Sequence, residues 1–341
     1  MANIKDIAVK CGLSVSTVSK ALNSYSDIGK ETRERVLKTA DELGYYPNSI
    51  ARALKTNRTC NIGVLFMDDA QSGLKHEYFA AVLDSFKVEA EKHSYDITFI
   101  NHNIKLGSRP MTYLEHCRYR NFDGVCIACI DFKQPEVIEL INSDLPIVTI
   151  DHVFNNRTSI NSANVEDMRK LVEYIYKLGH RKIAYVHGEK SSVTEQRLTS
   201  FCKTMLDLGI DTPQEYLVCS AYHDTASTKQ SVSKLLRLPD RPTCIIMPDD
   251  YAALGGIEAI EEMGLGIPKD ISIAGYDGIA LSQVLTPKLT TLKQDTETLG
   301  REAARRLIKQ IESPLTTIPE NVTVIGQLIE GQSVARIEPQ D

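Results

Sequence analysis

From residue 61 onward, short apolar runs alternate with segments of helical periodicity, and the alternation is carried through twice. The runs "NIGVLF", "YDITFI", "GVCIACI" and "LPIVTI" are spaced by helical patterns near residues 77–92, 110–120 and 134–142. "KIAYVHG", "EYLVC", "TCIIMP" and "ISIAGYD" follow, with helical patterns near 163–178, 194–208, 225–237 and 250–263. Each series reads as a parallel sheet with helices on its faces. Two such series in tandem imply two α/β lobes with a cleft between them. In open parallel sheets, ligands bind at the C-terminal ends of the strands. The 341 residues also exceed what a single core usually supports.

The first 46 residues follow a different rule. In "IKDIAVKCG", Ile4, Ile7, Ala8 and Cys11 fall on one helical face, and Gly12 stops the helix. Ser14 is a suitable N-cap for a second helix, "VSTVSKALN". On it Val15, Ser16, Ser19, Lys20 and Asn23 lie within one arc of about 140°. Val18, Ala21 and Leu22 occupy the other side. A third helix, "ETRERVLKTADELGY", carries Val36, Ala40 and Leu43, with Gly29 before it and Pro47 read as its end. Two helices joined by a tight turn and closed by a third make a helix-turn-helix. The second helix is short enough to enter a major groove, where hydroxyls and Lys20 reach base edges.

Charge separates the two parts. Residues 1–58 hold ten Lys/Arg against six Asp/Glu, whereas the whole chain has a formal net charge of −6. A basic head on an acidic body confines contact with a polyanion to the head. Between them, "PNSIARALKTNRT" holds one short amphipathic helix that cannot persist alone, because nucleation is too costly. Paired with a twin on DNA, it would place Leu54 as an apolar wedge in the minor groove.

The strand ends of the body supply polar and aromatic groups. Asp151 follows "IVTI", Ser191 follows "YVHGEK", and Arg197 lies at the start of the next helix. Tyr222 follows "LVCSA", Asp249 and Asp250 end "IIMP", and Asp277 ends "IAGY". Tyr78 and Phe79 begin the first body helix. Carboxylates, a guanidinium fork and aromatic faces suit a polyol or sugar, whereas a phosphorylated ligand would call for more cations. An isolated Asp at a strand end is also a common helix cap.

The chain resembles the lac-repressor family of bacterial transcription regulators. The resemblance rests on "IKDIAVKCGLSVSTVSKALN", "ETRERVLKTADELGYYPNSIARALKT", "YKLGHRKIAYVHG" with "EQRLTSF", "MPDDYAALGGIEAIEEMGLGIPKDISIAGYDG" and "TTLKQDTETLGREAARRLI". It implies an all-α helix-turn-helix head and a two-lobed α/β body with parallel sheets, like the type I periplasmic binding proteins. The implied domains are a DNA-binding head over 1–46, a hinge over 47–60 and an effector-binding, dimerising body over 61–341. Within the body, the N-lobe spans about 61–161 plus 293–322 and the C-lobe about 162–292 plus 323–341. By resemblance Val15, Ser16 and Lys20 read bases, and Thr17 and Ser19 lie near the backbone. Asn23, Ala51, Leu54 and Lys55 complete the DNA-binding set. The implied effector set is Tyr78, Phe79, Asp151, Ser191, Arg197, Tyr222, Asp249 and Asp277. Three residues depart from the family pattern: Val193 stands where relatives often carry a polar residue, Tyr276 replaces Phe, and Gly331 replaces Arg.

The expected function is a cytoplasmic repressor of carbohydrate-utilisation genes, released from a near-palindromic operator by a sugar. The alternative is a corepressor-dependent regulator with a non-sugar effector. A homodimer is expected, since no leucine heptad follows residue 330. An exported solute-binding protein would need an export signal and no helix-turn-helix. An enzyme is not expected: the chain shows no G-x-S-x-G, no phosphate loop and no metal-ligand cluster. No cofactor, no metal and no membrane contact are expected. Cys126 and Cys129 form a CxxC inside a strand, where the two side chains point to opposite faces.

Overall fold

The computed structural model describes residues 2–23, 25–46, 53, 58–67, 73–101 and 104–338. These form two compact units, residues 1–59 and residues 60–341. The smaller unit holds α1 (Ile4–Cys11), α2 (Val15–Leu22) and α3 (Lys30–Glu42). Its core is Ile7, Ala8, Cys11, Val18, Ala21, Val36 and Ala40, with Leu22 and Leu43 packed at the margin. Pro47 does not end the third helix. α3 stops at Glu42, because Gly44 takes the left-handed conformation (φ 61°) and Tyr45 N–H donates to the Ala40 carbonyl at 2.9 Å. The hinge segment, with the expected contacts of Ala51, Leu54 and Lys55, lies outside the described residues.

The larger unit is built on two six-stranded sheets. The first contains β1 (Asn61–Phe66), β2 (Asp96–Phe99), β5 (Gly124–Ala128), β6 (Ile147–Ile150), β7 (Thr158–Ser162) and β13 (Asn321–Val324). All its ladders are parallel, in the order β13-β7-β6-β5-β1-β2. A two-stranded hairpin, β3 (Lys105–Leu106) with β4 (Arg109–Pro110), lies beside it in sequence. The second sheet contains β8 (Ile183–His187), β9 (Leu217–Cys219), β10 (Cys244–Ile246), β11 (Ser272–Asp277), β12 (Thr290–Lys293) and β14 (Gln327–Ile329). Its order is β14-β12-β11-β10-β8-β9, and the edge strand β14 runs antiparallel to β12. The second sheet is therefore mixed at one edge rather than wholly parallel.

The strands are apolar on both faces because helices cover both. In the first sheet, Ile62, Val64, Cys126 and Val148 pack under α4 (Glu77–Lys92) and α12 (Thr296–Glu312). Leu65, Val125, Ile127 and Ile147 pack on α5 (Tyr113–Arg120) and α6 (Pro135–Ile141). In the second sheet, Ile183, Tyr185, Ile246 and Tyr276 meet α7 (Asn164–Lys177) and α8 (Ser192–Asp207). Ala184, Val186, Ile245 and Ile273 meet α9 (Thr225–Leu236) and α10 (Ala253–Glu262). A single turn, α11 (Leu281–Val284), follows β11.

α4 and α12 approach closely at Gly300. A Cβ there would stand 2.2 Å from the Val82 carbonyl oxygen and 2.7 Å from the Phe86 nitrogen, so only glycine fits the seam. Glu89 closes the same seam. Its buried carboxylate accepts from Arg305 at 2.6 Å and from Lys92 at 2.9 Å. These bonds pull its carboxyl down to about 2 against the opposing effect of burial.

The chain crosses between the sheets three times: from β7 to α7, from β12 to α12, and from β13 to β14. Each sheet is doubly wound, so its strand order reverses beside β1 in the first and beside β8 in the second. The C-terminal ends of β1, β5 and β6, and of β8, β9, β10 and β11, are where a ligand crevice belongs.

Buried histidines give the body an acid-sensitive element. His116, 2% exposed on α5, has no hydrogen-bond partner for either ring nitrogen among the described residues. Burial, with Arg120 nearby, lowers its pKa. The neutral ring is favoured in the folded state, so its stability contribution is complete above the unfolded pKa of about 6.5. That contribution is lost as pH falls through the lower folded value. Thermal unfolding should therefore shift downward between pH 7 and pH 5, and His116→Phe should reduce that shift. An identical pH profile in the variant would contradict this.

Candidate functional site

The head presents α2 as a solvated face over a small apolar core. Asn3 and Asp6 form a capping box on α1, with Asn3 N–H donating to Asp6 at 2.8 Å. Gly12, left-handed at φ 61°, turns the chain into α2. Ser14 caps α2 by accepting from Thr17 N–H at 3.1 Å. Its hydroxyl is also bonded to those of Ser16 and Thr17, each at 2.8 Å. Val15 is 42% exposed. Ser16 is exposed, Ser19 and Lys20 are half-buried, and Val18 and Ala21 are buried.

Two members of the expected set are already engaged. Lys20 Nζ lies 2.5 Å from Asp27, which raises the ammonium and lowers the carboxyl. The Asn23 amide donates to the Ser19 carbonyl at 2.7 Å and finishes the helix. Val15, Ser16, Ser19 and Lys20 thus form an apolar, hydroxylated and cationic surface on one short helix.

The crevice of the body is lined from both lobes. Arg197 is 4% exposed on α8, and its guanidinium lies 3.6 Å from the centroid of the Tyr276 ring. Its Nε donates to Asn164 Oδ1 at 2.7 Å. Burial opposes the Arg197 charge, but Tyr276, Tyr222 and Asp277 around it more than offset this and raise its pKa. Asp277 ends β11 with φ 96° and accepts from Gln294 Nε2 at 2.6 Å. Burial raises the Asp277 carboxyl, and Arg197 works against that rise. The Tyr222 hydroxyl lies 2.9 Å from Thr194 Oγ1. Beneath them the Tyr185 and Tyr276 hydroxyls and Gln294 Oε1 are buried with no hydrogen-bond partner among the described residues. Buried orphan polar atoms facing a charged group mark a place where a polar ligand or water completes the bonding.

On the first lobe, the Tyr78 hydroxyl donates to Asp151 Oδ2 at 3.1 Å. Asp151 Oδ1 accepts Ser162 N–H at 2.7 Å. Burial, reinforced by Asp151, raises the Tyr78 phenol well above its usual range. Phe79 packs on Phe66, with centroids 5.5 Å apart, and on His76 at 5.0 Å. His76 stacks on His223 at 4.6 Å, and His223 stacks on Tyr251 at 4.0 Å, so aromatic rings span the crevice. On the other side, Ser192 Oγ donates to the Asp151 carbonyl at 3.2 Å.

Comparison with known proteins gives this arrangement its context. Residues 3–48 match the family model described as bacterial regulatory proteins, lacI family, and residues 172–334 match a periplasmic binding protein-like domain. The HTH-type transcriptional repressor PurR of Mannheimia succiniciproducens is 30% identical over 99% of this chain and 100% of its own length. The chain belongs to the LacI family. This LacI-family protein is also 29% identical to PurR of Escherichia coli, over 98% of the chain and 97% of the relative. Its fold matches the lac repressor dimer bound to operator and the anti-inducer ONPF, with a TM-score of 0.82 at 25% identity. That match covers 98% of this chain and 99% of the other. The complex of the regulator CelR with cellobiose shares the fold, with a TM-score of 0.71 at 21% identity over 98% and 100% of the chains. The chain is a DNA-binding transcriptional repressor of this family and not an enzyme.

The LacI-family reading also sorts the residues singled out from the sequence. Arg197, Tyr222 and Asp277 come together in the second lobe, and Tyr78, Phe79 and Asp151 in the first. Ser191 caps α8, its hydroxyl accepting Thr194 N–H at 3.1 Å. Asp249 is spent on backbone, accepting from His223 and Ala252 N–H, each at 2.7 Å. Asp250 is likewise engaged, accepting from Thr291 at 2.6 Å and Ile279 N–H at 2.9 Å. Cys126 is buried in β5, where burial pushes its thiol up to about 12 and leaves it unreactive. His187 bonds the Gly188 carbonyl at 2.9 Å.

Sequence reasoning missed Asn164, Tyr185, Thr194, His223 and Gln294. Tyr185 sits in "IAYVH", which reads as a plain buried strand, and only the tertiary packing turns its hydroxyl toward Arg197. At Gly331, a Cβ would stand 2.4 Å from the Lys288 carbonyl oxygen, so the local backbone has no room for the Arg common in the family. Among the described residues, no helix is long and apolar enough to cross a membrane.

Proposed function

We propose that this repressor acts in the cytoplasm as a homodimer on a near-palindromic operator and is released by a neutral sugar bound in the cleft. In this reading α2 of each head enters the major groove. Val15, Ser16 and Lys20 meet base edges there, and Thr17 and Ser19 meet the backbone. Ala51, Leu54 and Lys55 of the hinge sit at the minor groove between the two half-sites.

One observation carries the effector reading: the Arg197 guanidinium lies 3.6 Å from the centre of the Tyr276 ring with Asp277 alongside, at the C-terminal end of a strand in a largely parallel sheet. A guanidinium fork and a carboxyl grip adjacent hydroxyls, while the ring faces suit the apolar face of a pyranose. The buried Arg197 guanidinium is already faced by the Asp277 carboxyl, which Asp151 neighbours in turn, and this excess of acid disfavours a phosphorylated ligand.

The test is operator affinity measured with and without a panel of mono- and disaccharides, after selecting the operator from genomic fragments at physiological salt. Release by one sugar is the expected result. The stacked rings of His76, His223 and Tyr251 favour a second reading, a planar non-sugar corepressor. Operator binding that tightens with such a ligand, and with no sugar, would establish that second reading.

Lys20 gives a direct check of the head. The ion pair with Asp27 must be exchanged for a base contact, since Lys20 cannot serve both fully. Lys20→Ala should weaken binding roughly ten- to a hundredfold at one base-pair position and relax selectivity there. A uniform loss across all sequences, with a smaller salt dependence, would place Lys20 on a phosphate instead.

A further inference from the structure

We infer that residues 277–280 form a latch between the two lobes, and that Gln294 and Glu77 are the positioning residues that hold it. The inference rests on reading Asp277 as a ligand-facing group.

The segment leaves the second sheet at Asp277 and Gly278, both with positive φ (96° and 69°), so the chain turns sharply toward the first lobe. Ile279 then packs against the first-lobe core beneath α4. The Ala280 N–H donates to Glu77 Oε1, at the start of α4, at 2.8 Å. The near end is held by Gln294, which lies on the crossing from β12 to α12. Its side-chain amide donates to Asp277 Oδ1 at 2.6 Å, and its own N–H donates to the Asp277 carbonyl at 3.1 Å. Its Oε1 is buried with no hydrogen-bond partner among the described residues, so the side chain has an unmet need that a donor in the cleft would satisfy.

A single four-residue stretch therefore begins at a cleft carboxylate, is gripped by a crossing strand, and ends docked on the other lobe. A ligand hydroxyl or amine seated on Asp277 competes for the oxygen that Gln294 now holds. Loosening that end weakens the Ile279–Ala280 contact with α4 and leaves the segment held to the second lobe by the Ile279 N–H bond to Asp250 at 2.9 Å. Occupancy of Asp277 thus changes the free energy of lobe closure through contacts that differ between the two states, as a population shift requires.

The experiment needs no ligand. Spin labels on genetically encoded ketone side chains replace the exposed Lys133 in the first lobe and Lys190 in the second, in the full-length protein. Electron–electron distance measurements then compare the parent with Glu77→Ala, Gln294→Ala and Glu77→Gln, each shown folded by its circular dichroism melt. The parent should give a narrow distribution. Each alanine variant should lengthen and broaden it by more than about 2 Å, the scale of a domain rearrangement. Glu77→Gln keeps the accepting oxygen and should restore the parent distribution. Unchanged distances in both alanine variants, or Glu77→Gln as open as Glu77→Ala, would overturn the latch. A sugar panel without a hit would defeat the effector reading and leave this measurement standing.

Discussion

Arg197→Ala is expected to leave a protein that still binds its operator but no longer responds to the cleft ligand. Arg197 is 4% exposed, lies on the Tyr276 ring and donates to Asn164, so a methyl group would leave a cavity beside an unopposed Asp277. Losing a hydrogen bond from a charged donor to the ligand costs about 1.5–3 kcal/mol of affinity, roughly ten- to a hundred-and-fiftyfold. Arg197→Lys should recover little, because an ammonium cannot present a planar fork. Calorimetric titration with the sugar that releases the parent protein gives the affinity, and operator titration gives the response. A variant that kept both ligand affinity and release would remove Arg197 from the site.

Ile7→Ala should have an effect of similar size on the other unit. Ile7 is fully buried among Val18, Ala21, Val36 and Ala40. Removing three carbons from such a site costs about 2–5 kcal/mol. A three-helix unit of this size has little stability to lose, because small domains bury a modest fraction of their surface. The head should unfold at working temperature while the body keeps its own unfolding transition. Operator-specific binding should vanish, and sugar binding to the cleft should persist. Melting followed separately in the two units checks this, and an equal shift in both transitions would show that they do not fold independently.

The helices and central strands were legible in the sequence because burial on one stripe, or on two faces, writes a period into it. "GVCIACI" is apolar without interruption and "LPIVTI" is broken only by Thr149, and both became central strands. The runs "TSINS" and "TTLK" carry no such period, yet they form β7 and β12. These strands gain their place from neighbours already formed, and their hydroxyls bond to adjacent loops, as when Thr291 Oγ1 donates to Asp250 Oδ1 at 2.6 Å. The cleft was legible in part. Charged residues at a strand end or in the helix that follows one stand out, so Asp277 and Arg197 could be named as candidates. Asp249 stood out equally and proved to be satisfied by backbone N–H groups, a distinction that requires the fold of the following loop. Gln294 was not named although the resemblance placed the crossing between lobes at residue 293, because nothing in "LKQDTE" says that this side chain turns back onto Asp277.

The seam at Gly300 has a consequence for the order in which this protein is made. The helix that covers α4 and the strand that flanks β7 lie at residues 296–312 and 321–324, beyond the whole of the second sheet except β14. While the ribosome is still adding residues 163–295, the first lobe must wait with Val82 and Phe86 uncovered and the β7 edge unpaired. Such an intermediate is sticky, and its exposure lasts for the translation time of the entire second lobe. The half of the body that begins first is thus finished last, and the nascent chain needs shelter in that interval.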